Sequence, residues 1–301
     1  MALKIKKQIL FFLLIGFTVS IYAQDTLNIT KLKTVVATET VLYTGTMIGL
    51  HQLWYKNEPS TSFHYFNDNQ QWLYMDKIGH SMTSYYVGKI GYNALRWSGV
   101  SEKKSIWYGG TLGLMFLTSV EVFDGFSKEW GFSGGDMAAN VMGTGLFISQ
   151  QLGWKEQRIL LKYSFYPSSY TEKRPNLLGE NFLQQSLKDY NGQTYWLSVN
   201  VASFLSNETR FPKWLNVAIG YGADGMLGGR NNLFISNNRY FDYSTIKRQK
   251  QFYFSLDVDL TRIKTNNQLL AGILNTFGFI KFPFPALMFE ESGSFKLLPI
   301  Q

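Results

Sequence analysis

The hydrophobic period of this 301-residue chain changes near residue 157, which restricts it to a helical half followed by a strand-rich half. From about residue 34 to 153 apolar and small residues recur at helical spacing. "KTVVATETVLYTGTMIGLHQLWY" predicts one helix ending before Pro59. Asp68 or Asn69 can cap a second through "QQWLYMDKIGHSMTSYYVGKIGYNALRW", which stops near Gly99. A third runs through "KSIWYGGTLGLMFLTSVEVFDG" to Gly125. Ser133 stands three residues before Asp136 in a near capping box, and Gly153 closes a fourth. Gly88, Gly91, Gly109, Gly110, Gly113, Gly143 and Gly145 all fall inside these helices. Each costs roughly 0.5–1 kcal/mol relative to alanine, so their number predicts helices that approach closely.

Beyond residue 157 the period is two. "QRILLKYSFY", "YWLSVNVASFL" and "WLNVAIGYG" alternate, and "QFYFSLDVDLTR" does so most clearly. There Phe252, Phe254, Leu256, Val258 and Leu260 share one face and Ser255, Asp257, Asp259 and Thr261 the other, which predicts strands whose polar face is wet. The fold class expected is α+β: a small-residue-rich bundle of about four helices, then an antiparallel β-rich half. About five or six strands are too few for a closed eight-stranded barrel, yet aromatic residues near strand ends also suit an outer-membrane sheet. A membrane-associated β half and a soluble one packed on the helices both remain open.

The first 24 residues carry basic Lys4, Lys6 and Lys7, an apolar run from Ile9 to Val19 and a small residue, Ala23, as an export leader does. The domain expectation is therefore a signal peptide at 1–24, a helical domain at 25–156 and a β-rich domain at 157–301. Removing the leader takes away three of the charges behind the formal +8. No cysteine is present, which excludes disulfides, thiolate metal sites and cysteine-linked lipid attachment. Aromatic and charged residues are equal at 17%, where charged residues usually reach about a quarter, and aromatic excess suits a membrane interface. The short "IKRQK" is the densest basic run of the mature chain, so a nucleic-acid partner is not expected; membrane or envelope components are. Short, interrupted apolar runs argue against four membrane spans.

In "MDKIGHSMTSYY", Asp76 and His80 are four apart and share a helix face. Glu121 and Asp124 are three apart near the end of the third helix, and Asp136 and Asn140 four apart at the start of the fourth. Antiparallel packing with short loops brings these pairs to one end. As a catalytic set, His80 would act as general base, Asp76 would orient its ring and Glu121 would be a second acid/base group. As a metal set, His80, Glu121, Asp124 and Asp136 would form an oxygen-rich shell for a hard or borderline divalent cation. Lys77, Asp124, Asp136 and Asn140 complete a polar or ligand-binding cluster. No Gly-x-Ser-x-Gly, His-Glu-x-x-His or phosphate loop supplies a recognised nucleophile or frame.

"DKIGH" and the later "EVFDGFSKEWGFSGGDMAANVMG" follow the spacing Asp-Lys-x-x-His, Glu-x-x-Asp-Gly, Gly-Phe-Ser-x-x-Asp-x-x-Ala-Asn-x-x-Gly. Over about residues 72–153 the chain thus resembles the YfiM-like family of predicted periplasmic lipoproteins, whose function is unassigned, and more distantly the VanZ-like membrane proteins. It departs from the first in lacking the lipid-attachment cysteine, and from the second in Asp124 and lower hydrophobicity. The resemblance implies a small helical envelope domain with Asp76, Lys77, His80, Glu121, Asp124, Asp136 and Asn140 as its signature, in the periplasm or outer membrane of a Gram-negative bacterium. The functional expectation is an envelope scaffold or binding module with a buried His/carboxylate cluster. A metal-assisted hydrolase or lipid-modifying enzyme, and a lipid or small-molecule binding protein, are the alternatives.

Overall fold

A computed structural model describes residues 26–56, 59–206, 208–236 and 239–301; the stretch 1–24, read from the sequence as an export leader, lies outside the described residues. The chain divides into two compact units, the described part of Met1–Asp68 with Lys77–Gln157, and Asn69–Asp76 with Arg158–Gln301. The fold class is α+β.

In the first unit, α1 (Ile29–Leu50) begins where the Asn28 side chain accepts the Lys31 amide, and it runs into a wider turn at His51–Tyr55. The second helix, α2 (Met75–Trp97), starts later than the capping residues Asp68 and Asn69 predict. Trp72, Leu73 and Tyr74 all take left-handed backbone angles, φ 50, 50 and 69, which interrupt any right-handed helix. The predicted third helix is two, α3 (Glu102–Tyr108) and α4 (Leu112–Gly125), broken at Gly109 to Thr111. The last, α5 (Gly134–Trp154), follows the Ser133 cap. Taken together, Glu102–Gly125 is the one helical segment among the described residues long and apolar enough to cross a membrane by length and composition.

Close helix approach explains the buried glycines of α2, of α5 and of the α3–α4 segment up to Gly113. A Cβ on Gly143 would sit 1.9 Å from the Ser81 carbonyl oxygen, and one on Gly113 2.2 Å from that of Ser84. Gly88 faces Gly110 and Gly91 faces Gly109 backbone to backbone in the same way. Approach this close lets Ser81 donate to the Ala139 carbonyl and Ser84 to that of Asn140, each at 2.8 Å. Gly145 is different: it is exposed, and nothing lies within 4 Å of its Cβ position.

A second tie matters for the site. Residues 60–66 run beside 125–132, with Thr61 donating to Phe126, His64 to Gly125 and Phe66 to Phe132 through the backbone. Phe63 packs edge-on against Phe126, and its ring fills the space a Cβ on Gly125 would need.

The second unit is built on six antiparallel strands in the order β1-β2-β3-β6-β7-β8. They are β1 (Ile159–Phe165), β2 (Gln193–Asn200), β3 (Leu215–Asp224), β6 (Gln249–Val258), β7 (Ala286–Glu290) and β8 (Phe295–Leu298). A separate hairpin is formed by β4 (Leu233–Ser236) and β5 (Arg239–Asp242), and short helices α6 (Pro175–Leu178), α7 (Phe182–Lys188) and α8 (Gln268–Thr276) fill the connections.

The polarity of the sheet is the reverse of the expectation. In β6 the polar side is inside, with Ser255 and Asp257 buried, while Phe252, Phe254 and Leu256 are 49, 47 and 42% exposed. The reason is a polar network that satisfies the inward groups. Lys162 Nζ lies 2.7 Å from Asp257 Oδ2 and donates to the Val258 carbonyl, and Ser198 donates to the same carboxylate. Asn216 donates to Ser198, Asn200 donates to Asn216, and the Phe282 amide donates to Asp257 Oδ1. Beside this network Trp196, Ala218, Tyr253, Ala286 and Met288 form an apolar core on the same face. With its partners inside, the charge has no need of water.

Two glycine variants separate packing from propensity. Gly143→Ala is expected to lower stability by about 1–3 kcal/mol through overpacking, whereas Gly145→Ala is expected to be neutral or stabilising by up to about 1 kcal/mol. Thermal melts of the two side by side check this; equal effects would contradict the close-approach reading.

Candidate functional site

Four segments of the first unit converge. The α2 helix supplies Lys77 and His80, the end of α4 supplies Glu121, the start of α5 supplies Asp136 and Asn140, and the strip 60–68 delivers Asp68. The Lys77 ammonium stands between two carboxylates, 2.7 Å from Asp68 Oδ2 and 2.9 Å from Asp136 Oδ1. Ser133, at the α5 cap, ties the rest together: its hydroxyl donates to Asp68 and accepts from the Asp136 amide, and its amide donates to Glu121. Glu121, Asp136 and Asn140 are 1, 4 and 0% exposed, so these bonds stand in for water.

His80 sits at the edge of this group, a fifth exposed at its side chain. Its Nδ1 is 3.1 Å from Asn140 Oδ1 and 3.9 Å from Glu121 Oε1, and its Nε2 is 4.0 Å from Asp136 Oδ1. The Asn140 Nδ2 is buried without a protein hydrogen-bond partner. A buried amide N–H of this kind calls for a water or another small acceptor.

Of the sequence-predicted residues, Lys77, His80, Glu121, Asp136 and Asn140 come together. Asp124 takes a different partner, the Tyr55 hydroxyl at 2.5 Å, one turn beyond Glu121. Asp76 falls in the second unit, where it accepts the Tyr190 hydroxyl at 2.7 Å. Asp68, Ser133 and Tyr55 were not foreseen in these roles. The Ser133 cap was visible in sequence; the strip pairing that delivers Asp68 leaves no local signal.

Burial pushes the Glu121 carboxyl up to about 7, with the neighbouring Asp136 and Asp124 charges adding to the shift against the Ser133 amide and His80. Burial also acts to raise Asp68, but hydrogen bonds from Lys77 and Ser133 outweigh it and hold this carboxyl below its usual range. The Tyr55 phenol is raised by burial and by Asp124.

The donor set can be tested against a divalent cation. His80 Nε2 and Asp136 Oδ1 are 4.0 Å apart, wider than the roughly 3.4 Å between two tetrahedral ligands with bonds of about 2.0–2.2 Å. The same Oδ1 already faces the Lys77 ammonium, and the two imidazole nitrogens address different acids. The positive charge this pocket requires is thus supplied by lysine. Asp76, His80 and Asp136 each offer a ligand atom within 4.8 Å of the others, and these are the residues that would hold a cation; Asp124 is engaged by Tyr55.

Residues 64–150 match the model of a family described as predicted periplasmic lipoprotein (DUF2279). The window contains Asp68, Lys77, His80, Glu121, Ser133, Asp136 and Asn140, and the match agrees with export to the periplasm or outer membrane. No curated protein and no solved structure matches the chain.

Glu121 sets a pH dependence. In the folded chain its carboxyl stays protonated to about pH 7, while unfolded it ionises near 4.5. The folded state binds the extra proton across that window, so this group's stabilisation is complete below 4.5 and is lost as pH rises through 7. Glu121→Gln is expected to abolish that decline, its melting temperature gaining on the unaltered chain between these limits. Parallel profiles would contradict it. Ser133→Ala, which removes both the α5 cap and the bond to Asp68, is expected to cost about 1–2 kcal/mol in chemical denaturation.

Proposed function

We propose that the protein is a cell-envelope scaffold or binding module, in which the buried His/carboxylate cluster braces the helical unit. The observation that carries this reading is the Lys77 ammonium held between Asp68 and Asp136. A cluster built around its own internal cation is neutralised and ordered as it stands, and three helices and a loop depend on it. Its organisation is a leader to residue 24, a helical domain at 25–156 and a β-rich domain at 157–301. Kinship with the YfiM-like proteins, and more distantly with the VanZ-like ones, belongs to the same reading. Its partners are membrane or envelope components.

A second reading is favoured by one observation. Glu121, raised to about 7, lies 3.9 Å from the His80 imidazole. A carboxyl raised to about 7, set beside an imidazole and a buried unpartnered amide, could exchange protons with a bound substrate. In that reading the protein is a hydrolase or lipid-modifying enzyme, with His80 as base and Glu121 as acid.

Elemental analysis and melting curves separate the two. The scaffold reading expects no stoichiometric metal in protein purified without added ions. It expects His80→Ala and Asp136→Ala to lower the melting temperature, by about 2–4 °C for each kcal/mol lost in a chain of this size. A bound metal released by His80→Ala with the melt unchanged would favour the enzyme.

A further inference from the structure

The β-rich unit carries a feature that bracing of the helices does not use. Its outward face is ordered in rows by the strand register. Ile219, Phe254, Leu287 and Leu297 lie directly opposite one another across β3, β6, β7 and β8. Two residues along, Tyr221, Phe252, Phe289 and Phe295 form a second row, entirely aromatic, in which Tyr221 is half-buried against the Met75 cluster and donates to the Leu73 carbonyl while Phe252, Phe289 and Phe295 are exposed. On the other side Val217 pairs with Leu256. Ile219, Phe254, Phe289, Phe295 and Leu297 are between 46 and 67% exposed, and no charged residue stands in these rows. Just past the aromatic row the same face turns ionic, with Lys250, two residues before Phe252, 3.7 Å from Glu291, two residues past Phe289.

We infer that this face seats in one leaflet of a lipid bilayer, against the acyl chains. Three observations select lipid over a second protein surface. First, the unit places its ion pair Lys162–Asp257 and the Ser198, Asn216 and Asn200 amides and hydroxyl on the inward side, and its apolar row outside. A sheet face meant for water carries polar side chains; large aliphatic and aromatic residues in register on the outer face are the arrangement of sheets bounded by lipid. Second, an aliphatic row followed by an aromatic row and then by the Lys250–Glu291 pair follows the polarity gradient from acyl chain through interface to water. Third, α8 in the same unit has no buried residue and shows Leu269, Leu270 and Ile273 at 75, 43 and 45% exposed, as a helix lying in an interface would.

The dimensions set the depth. From Leu215 to Tyr221 along β3 is six residues, or about 20 Å at 3.3–3.4 Å per residue, and less once tilted. The hydrocarbon core is about 30 Å thick, so the face reaches through one leaflet and stops. Six strands in an open order also leave β1 and β8 unjoined to each other, which suits one-sided seating and not passage through the membrane.

Because the chain has no cysteine, single labels can be placed cleanly. Phe254→Cys and Leu297→Cys, with Glu208→Cys in an exposed turn as reference, would each carry a nitroxide on the full chain. They would be mixed with vesicles of phosphatidylethanolamine and phosphatidylglycerol. Labels at 254 and 297 are expected to collide more with dissolved oxygen than with a water-soluble nickel chelate, the inverse of the ratio at 208. High nickel collision at both sites would overturn the proposal, as would spin–spin broadening between labels, which would mean a second copy covers the face. The unaltered chain is also expected to float with the vesicles at high salt; its staying at the bottom of the gradient would overturn the proposal independently of any variant.

Discussion

A single ammonium group, that of Lys77, decides what the helical unit can be. Removing a lysine and two carboxylates from water costs several kcal/mol per ion, and only tight geometry with further hydrogen bonds recovers it. Asp68 and Asp136 supply that geometry at 2.7 and 2.9 Å, and Ser133 closes it by holding Asp68 and capping α5 at once. The strip 60–68 must therefore lie along 125–132, α4 must end beside α5, and α2 must approach α5 closely enough for Gly143 to touch Ser81. Each of these is a consequence of giving one buried cation its partners.

The sheet unit applies the same rule with a different result. Lys162 and Asp257 are fully buried and bonded to Ser198, to the Val258 carbonyl and to the Phe282 amide. Because the inward face is occupied by that network and by the Trp196 cluster, the remaining phenylalanines, leucines and isoleucine are turned outward. The bilayer seating proposed for this unit rests on that outward set, while Trp196 and Tyr253 stay in the inward core.

The change of period near 157 was legible because helices and strands distribute apolar residues differently, and α5 ends at Trp154 where β1 begins at Ile159. So were the Ser133 cap and the meeting of His80 with Glu121, Asp136 and Asn140, since spacing on a helix determines which side chains share a face. The inward side of β6 was not legible. Alternation names two faces and says nothing of which is inside; that depends on whether Asp257 has a partner, and Lys162 is ninety-five positions away. The start of α2 was misread for a related reason. Asp68 has the chemistry of a cap, but Lys77 and Ser133 claim its carboxylate, and the left-handed turn at Trp72 to Tyr74 has no glycine to announce it.

A double-mutant cycle on Lys77 and Asp136 reads the central interaction directly. Lys77→Met, Asp136→Leu and the pair together would be compared with the unaltered chain by chemical denaturation. If the ammonium is the brace, Lys77→Met leaves both carboxylates without their cation, and removing Asp136 in that background relieves one of them, so the coupling should reach at least about 2 kcal/mol. Losses that simply add would mean that the helices meet for other reasons and that the ion pair only occupies the space they leave.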